Sequence, residues 1–408
     1  MKVLILSVTA GEGHNSTARA MKAEYERQGH TCVILDTFQY ISPALAEFLS
    51  EGYLLVTEKA KTAYKVGYRL AEKRKGKSRP TTYLVDMAMA DNIADYIATE
   101  VFDFVVFTHP FAGLILDFMK QKNMISIPTF GILTDFTFHP YWENCTHNDY
   151  VFTPAGALLM QGRRKGFRDE QILPYGIPIN PKFTVTVDKA EARRQLGLDP
   201  ATATILLMGG SMGYGNMAET LTKIDSLPME FQIIAVCGNN AEMKAEVDAT
   251  PTTHRVLSTG FVDYVALLMD ASDCIVTKPG GLTTSESLAK GLPMVIVNPI
   301  PGQEERNTEF LLNNGAASAA SATCPVEECL YQLFSSPVRM AAMRECVKAL
   351  AHPNSTEEVC RFSCTKVGSA NFGAAIVGSA NFGAAIVGSA NFGAAIVGGT
   401  NFGAKAQP

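Results

Sequence analysis

The sequence has no CxxC pair, although it contains nine cysteines. A structural zinc site or a redox dithiol of the usual kind would need such spacing, and an odd number of scattered cysteines does not form a disulfide framework. We therefore expect free thiols and a reducing compartment.

Long hydrophobic segments and acidic metal-binding motifs are missing as well. No run of about 18 consecutive apolar residues occurs, so we predict no membrane-spanning helix. No apolar segment with a cleavage site follows Met1, so we expect no signal peptide. The chain has no Asp-x-Asp motif, and we expect neither a bound divalent metal nor a cofactor.

Positive charge is concentrated in one segment of an acidic chain. Residues 59–79 contain nine basic residues and one acidic residue, a charge of +8, whereas the whole chain carries −5. We predict that this segment binds an anionic membrane surface; a solvated surface helix is the alternative. The acidic remainder, without a nucleic-acid motif, argues against nucleic-acid binding. The predicted membrane contacts are Lys59, Lys61, Lys65, Arg69, Lys73 and Arg74.

Short apolar runs alternate with amphipathic stretches, and the series occurs twice. It starts with VLILSV and CVILD and restarts with TILLMGG and FQIIAVCG, after the proline-rich segment LPYGIPINPKF. This alternation is typical of parallel sheets covered by helices. We predict an α/β fold with two Rossmann-like domains, residues 1–177 and 178–364, facing a cleft. A ten-residue repeat, VGSANFGAAI, fills a low-complexity tail, 365–408, to which we assign little function; a weak membrane or self-association role is the alternative.

Candidate chemistry in the first half lies after two of its strands. Gly11 and Gly13 follow the first strand and allow a sharp turn before a helix, with His14 next in the chain. Ligands bind at the carboxyl ends of such strands, so His14, with a pKa near neutrality, suits a general base; capping the helix is the alternative. Asp135 ends the run IPTFGILTD and is either a partner of His14 or a rival base.

The second half carries a more specific pattern in consecutive loops. Gly280 and Gly281 offer backbone amides, and Thr283 a hydroxyl, for a diphosphate. Glu286 lies about one helical turn beyond Leu282, where a carboxylate can accept from both hydroxyls of a ribose. Gln303 and Glu304 follow the next strand and so reach the same edge, where they can hold sugar hydroxyls.

These motifs identify a family resemblance. GEGHNS, GGSMG and KPGGLTTSESLAKGLPMVIVNPIPGQEERN resemble bacterial diacylglycerol glucosyltransferases and plant monogalactosyldiacylglycerol synthases. The peptidoglycan N-acetylglucosaminyltransferase, which acts on an undecaprenyl lipid, is more distantly similar. TDFTFHPYW, residues 134–142, resembles the diacylglycerol-using branch. The resemblance covers about residues 1–364 and implies a GT-B fold, with the acceptor in the first domain and the donor in the second.

The resemblance also implies residue roles. Phe261 and Val262 fall where backbone groups meet uracil, and His14 and Asp135 fall in the acceptor cleft. The predicted donor-binding residues are Gly210, Ser211, Met212, Gly238, Phe261, Val262, Lys278, Gly280, Gly281, Thr283, Glu286, Gln303 and Glu304. The predicted acceptor-binding residues are Gly13, Asn15, His139 and Trp142.

The predicted function is transfer of a hexose from UDP-glucose or UDP-galactose to diacylglycerol, with inversion to a β-glycoside. We expect a cytoplasmic protein held peripherally at the inner face of the cell membrane. Two alternatives remain open at this point: an undecaprenyl-linked or other lipid acceptor, and a non-catalytic sensor of UDP-sugars.

Overall fold

The computed structural model describes residues 1–9, 12–41, 83–209 and 216–383. The chain divides after Cys364 into two compact units. The first unit contains two six-stranded parallel sheets, one built from each half of its sequence. This arrangement confirms the predicted α/β fold with two Rossmann-like sheets.

The first sheet has the strand order β2-β1-β3-β4-β5-β6. Its strands are β1 (Lys2–Ser7), β2 (Thr31–Asp36), β3 (Phe104–Phe107), β4 (Thr129–Ile132), β5 (Tyr150–Phe152) and β6 (Ile172–Leu173). The helices described in this half are α1 (Glu12–Arg27), α2 (Thr37–Ile41), α3 (Tyr83–Glu100), α4 (Pro110–Gln121) and α5 (Leu159–Arg164), with short 3-10 turns at Pro140–Asn144, Gly156–Leu158 and Asp169–Gln171.

The second sheet has the strand order β12-β11-β10-β7-β8-β9. Its strands are β7 (Thr204–Met208), β8 (Gln232–Val236), β9 (Arg255–Thr259), β10 (Cys274–Thr277), β11 (Met294–Ile296) and β12 (Ala317–Ala319). The helices are α6 (Lys189–Gln195), α7 (Met217–Asp225), α8 (Ala241–Ala249), α9 (Val265–Ala271), α10 (Gly281–Ala289), α11 (Gln303–Asn313), α12 (Val326–Phe334), α13 (Pro337–Leu350) and α14 (Ser355–Gly383), with a 3-10 turn at Pro181–Phe183.

Central strands of both sheets are buried on both faces. β3, β4, β7, β8 and β10 have no exposed position, which is why they read as continuous apolar runs rather than alternating ones. Strand order reverses direction between β1 and β3 in one sheet and between β7 and β10 in the other. Loops that follow these strands border the crevices in which such sheets bind ligands.

The last helix differs from its prediction. The sequence predicts a short helix that opens with a Ser-x-x-Glu box at Ser355, whereas α14 runs from Ser355 to Gly383. The hydroxyls of Ser355 and Thr356 donate to the carbonyls of Ile177 and Ile179 instead of capping the helix, at 2.8 and 2.5 Å. The start of α14 is therefore tied to the segment that links the two sheets.

Residues after Ser355 pack against the first sheet. The ring of Phe362 lies edge-on to Tyr150, Phe152 and Tyr175, with centroids 5.6–5.8 Å apart. The hydroxyls of Ser363 and Tyr25 are 2.7 Å apart in the interior. The chain thus returns to the first half after completing the second. Of the helices in the described ranges, none is both long and apolar enough to cross a bilayer.

Candidate active site

His14 lies in the first turn of α1, immediately after the glycine loop. Its Nδ1 is 2.7 Å from the carbonyl oxygen of Thr108 and 3.2 Å from Oγ1 of Thr134. A carbonyl oxygen can only accept a hydrogen bond, so Nδ1 carries the proton and Nε2 has the free lone pair. In its neutral form, His14 is therefore the Nδ1–H tautomer, with the basic Nε2 on the side away from Thr108.

Burial changes the expected basicity of His14. Loss of solvation lowers its pKa from 6.5 to about 4, and the hydrogen bond to the Thr108 carbonyl only partly opposes this effect. The sequence predicted a pKa near neutrality because burial is not visible in it. The imidazole is uncharged and able to accept a proton at all pH values above about 5.

Asn15 links the first turn of α1 to the end of β1. Ser7 donates to its Oδ1 at 2.7 Å, and its amide donates to Thr9 Oγ1 at 3.2 Å. The backbone N–H of Thr9 in turn donates to Asp36 at 2.8 Å. Asn15, a predicted acceptor contact, thus has its side chain hydrogen-bonded to the end of β1 and to Thr9. A Cβ at Gly13 would meet nothing within 4 Å, so this position faces open space.

Asp135 is not the partner of His14 in the structure. Its Oδ1 accepts from the amide of Asn307 at 2.9 Å, and burial raises the pKa of this carboxyl. The same amide donates to the carbonyl of Pro279 at 3.0 Å, while Asn307 Oδ1 accepts from the backbone of Phe136 at 2.8 Å. Asn307 is fully buried. It therefore joins the segment after β4 to the loop after β10.

Thr134 contacts both sides of the cleft. Its hydroxyl lies beside His14, and its carbonyl oxygen lies against the backbone of Gly281 at the start of α10. A Cβ at Gly281 would overlap with that oxygen. Close approach of the two halves thus requires glycine at this position. The sequence alone predicts only a contact between the backbone amide of Gly281 and a diphosphate.

The start of α10 has the features of an anion site. Gly280 is the N-cap residue of this helix, and the first-turn amides of a helix have no partner within it. Lys278 Nζ lies 3.3 Å from Oε1 of Glu304, whose Oε2 accepts from the backbone of Ile300 at 2.7 Å. Glu304 is 7% exposed, and its carboxylate is occupied by protein groups, so its contact with a sugar stays a prediction.

Glu286 and the loops after β8 and β9 surround the rest of the predicted donor site. The carboxyl of Glu286 has no hydrogen-bond partner among the described residues, and burial raises its pKa to about 8. Gly238 has a φ of +61°, which favours glycine, and its carbonyl lies close to Gly260. Phe261, which follows β9, is 65% exposed. Its ring is thus available to a flat ligand.

Other predicted site residues lie at different depths. His139 is half-buried and accepts from the backbone of Tyr141 through Nδ1 at 3.3 Å. Trp142 is 2% exposed and stacks on Phe107 with centroids 5.7 Å apart; its side chain packs in the interior, and its contact with the acceptor stays a prediction. Three more residues are half-buried: Val262, which lies three residues after β9, Thr283 in the first turn of α10, and Gln303 in the first turn of α11. Their ligand contacts stay predictions.

Several predicted residues lie outside the described ranges. They are Gly210, Ser211 and Met212 of the second glycine loop, and Lys59, Lys61, Lys65, Arg69, Lys73 and Arg74 of the basic segment. Across the ranges that the structure covers, no group of three or more His, Cys, Asp and Glu side chains is arranged to hold a metal ion.

Comparison with protein families identifies both halves. The model of monogalactosyldiacylglycerol synthase matches residues 14–179, and that of the glycosyltransferase family 28 C-terminal domain matches residues 204–359. The chain belongs to the diacylglycerol glycosyltransferase family. The transferase is 28% identical over 362 residues to the processive diacylglycerol beta-glucosyltransferase of Bacillus pumilus, covering 88% of this chain and 93% of the relative. For the Bacillus subtilis protein of the same name, identity is 25% over 366 residues, with 88% and 93% covered.

Solved structures show the same fold at lower identity. MurG of Acinetobacter baumannii superposes with a TM-score of 0.60 at 17% identity, covering 89% of the transferase and 99% of MurG. The UDP complex of Anabaena HepE gives a TM-score of 0.53 at 13% identity, covering 90% and 100%. The fold is therefore GT-B, as the resemblance implied.

Asn307 is one residue of this cleft that the sequence analysis did not single out as functional. It lies four positions after Gln303 on α11, so both side chains are on the same helix face. That spacing was the available signal, because a residue placed one turn beyond a predicted ligand contact also reaches the cleft.

Donor affinity should depend on the protonation of Glu286. Ribose hydroxyls donate to a carboxylate, so binding favours the ionised form of a group whose pKa is about 8 in the free protein. We expect the affinity for UDP-glucose to rise about tenfold per pH unit from pH 6, to level off above pH 8, and to be accompanied by proton release. Calorimetry in buffers of different ionisation enthalpy measures both quantities.

The Glu286→Gln variant should bind UDP-glucose without this pH dependence and more weakly, by about 1.5–3 kcal/mol. Glu309→Gln is a matched control, because Glu309 is an exposed residue paired with Arg306 on α11; it should keep the wild-type profile. A pH-dependent affinity that survives in Glu286→Gln would remove Glu286 from the donor site.

Proposed function

We propose that the transferase moves glucose from UDP-glucose to the free hydroxyl of a diacylglycerol, with inversion, to give a β-glucosyl diacylglycerol. The observation that carries this proposal is the position of Thr134 between a neutral histidine and the start of α10. A proton acceptor and an anion site thus lie against the same residue. In-line displacement needs such an arrangement, with the nucleophile and the leaving group on opposite faces of the sugar.

In the proposed reaction, Nε2 of His14 takes the proton of the acceptor hydroxyl. The oxygen attacks the anomeric carbon, and the bond from that carbon to the UDP oxygen breaks. Negative charge develops on the leaving diphosphate, where the first-turn amides of α10 and the ammonium of Lys278 stabilise it. The imidazolium of His14 keeps its Nδ1–H on the Thr108 carbonyl and later releases its second proton to solvent.

An aromatic cluster that His109 connects to His14 supports an apolar acceptor. Phe111 lies at the start of α4, with its ring 5.5 Å from Phe38 and 5.7 Å from Tyr141 between centroids. Aromatic rings bury large apolar areas, so they suit contact with the hydrocarbon part of an acceptor. The names of the Bacillus relatives support diacylglycerol as the acceptor and glucose as the sugar.

The membrane and the cell compartment are also part of the proposal. Diacylglycerol resides in a bilayer, so the enzyme must reach a membrane surface, and the basic segment 59–79 supplies positive charge for an anionic leaflet. We place the enzyme peripherally at the cytoplasmic face of the cell membrane.

One experiment tests three parts of the proposal together: the sugar donor, the lipid acceptor, and whether the protein is an enzyme or a sensor. The protein is incubated with vesicles that contain diacylglycerol or undecaprenyl phosphate-linked saccharide, with UDP-glucose or UDP-galactose, and the lipids are analysed by mass spectrometry and NMR. We expect β-glucosyl diacylglycerol. A galactosyl product or an undecaprenyl product would replace the proposed donor or acceptor, and donor binding without a product would indicate a sensor. A diglucosyl product would show that this enzyme is processive, as the names of its Bacillus relatives say of those proteins.

A further inference from the structure

A second histidine lies against the proposed base and has no part in the mechanism above. His109 follows β3, and its ring meets that of His14 edge to face, with centroids 4.7 Å apart and planes at 75°. The residue before it, Thr108, supplies the carbonyl that holds His14 Nδ1. Two consecutive residues that follow β3 thus contact the base: Thr108 through its backbone carbonyl and His109 through its ring.

The ring of His109 is itself fixed. Its Nδ1 accepts from the backbone N–H of Phe111 at 3.2 Å, as the N-cap of α4, and its plane stacks on the Phe111 ring at 5.2 Å and 17°. Since Nδ1 accepts, the proton of this neutral imidazole is on Nε2. A side chain anchored at both a helix start and an aromatic face loses little further freedom when it holds a neighbour.

His109 also stays uncharged beside a group that gains charge in the reaction. Burial, together with the nearby His14 and His139, keeps its pKa well below the usual range. The other titratable group on the adjoining strand end, Asp135, has its carboxylate on Asn307. His14 can therefore take a proton without a second cation next to it.

We propose that His109 is a positioning residue of the transferase: its ring holds the imidazole of His14 with Nε2 toward the acceptor hydroxyl and excludes water from the base. This role rests on the proposed function of His14. Because the helix-capping contact of His109 is made by one acceptor atom, Nδ1, its contribution as a cap and its contribution as a ring can be separated by substitution.

The His109→Asn variant keeps the cap and removes the ring. Its Oδ1 can accept from Phe111 N, and asparagine is a favourable N-cap residue, so α4 should be retained. We expect kcat for glucosyl transfer to diacylglycerol vesicles to fall about tenfold to 10²-fold, with an unchanged KM for UDP-glucose. Water then reaches His14, so the pKa of the base should rise from about 4 toward 6.5. The acid limb of the kcat/KM profile should move up in pH accordingly.

The His109→Phe variant keeps a ring and loses the cap acceptor. We expect it to restore the wild-type acid limb and most of the turnover, which a purely structural role of the cap would not produce. His109→Asn with wild-type kcat and acid limb would overturn the proposal, and so would a His109→Phe variant as impaired as His109→Asn.

NMR titration of the His14 ring separates this proposal from that of the base. The signal of His14 is assigned by its loss in His14→Asn. A rise in the pKa of His14 in His109→Asn supports the contact between the two rings. If His14→Asn nevertheless retained turnover, His14 would not be the base, but the contact between the rings would still hold. Identical titration of His14 in the wild type and in His109→Asn would show that His109 does not cover the base.

Discussion

Replacing His14 with asparagine should lower kcat by about 10²–10⁴-fold while the affinity for UDP-glucose stays at the wild-type value. Asparagine offers an amide N–H to the Thr108 carbonyl where His14 offers Nδ1–H, but it has no atom at the position of Nε2. The variant thus preserves the local anchor and removes only the proton acceptor. Single-turnover rates on diacylglycerol vesicles, together with donor calorimetry, measure the two quantities.

The Asp135→Asn variant tests whether His14 or Asp135 is the general base. The asparagine Oδ1 can still accept from Asn307, so the link between the halves survives, and we expect a much smaller loss of kcat than in His14→Asn. If Asp135→Asn abolished turnover and His14→Asn retained it, Asp135 would be the base and the closed geometry around Asn307 would have to open during the reaction.

Gly281→Ala should lower turnover by about 10²-fold or more, although each half keeps its own core. The added methyl group would overlap with the Thr134 carbonyl oxygen, which is backbone and cannot rotate away. The start of α10 must then separate from the segment that carries Thr134. A displacement of about 1 Å between reacting groups is enough for a loss of this size.

The matched control is Gly156→Ala, since a Cβ there would meet only Pro174, at 4.0 Å. This variant should retain wild-type turnover and the wild-type melting temperature. Small-angle scattering of Gly281→Ala with UDP-glucose should show a larger radius of gyration than the wild type in the same ligand. Wild-type turnover in Gly281→Ala would show that the halves do not need this close approach.

The sequence predicts well those features that depend on local pattern. Buried parallel strands read as apolar runs, so the two sheets could be found from VLILSV and TILLMGG and the residues that follow them. Glycines after strands marked the loops that face the crevice, and the resemblance carried by KPGGLTTSES gave the family. Gly280 at the N-cap of α10 agrees with its predicted place at a helix start.

Features that depend on contacts between distant segments could not be predicted. Trp142 is polar enough at its nitrogen to suit a ligand site, yet it packs beside Phe107, 35 positions away in the chain. The pKa of His14 depends on burial, and the residues that contact its ring follow β3 and β4. Asn307 meets Asp135 across the cleft. None of these contacts leaves a periodic signal, since each pairs single residues on separate elements.

The return of the chain to the first half has a consequence for protein engineering. Because Phe362 packs on Tyr150 and Phe152, the residues that complete the first sheet's surface come from the end of the sequence. A chimaera that exchanges donor specificity between relatives should therefore join its parents twice, once in the segment between β6 and α6 and again between α13 and α14. With a single junction, Phe362 would come from one parent and the surface it covers from the other.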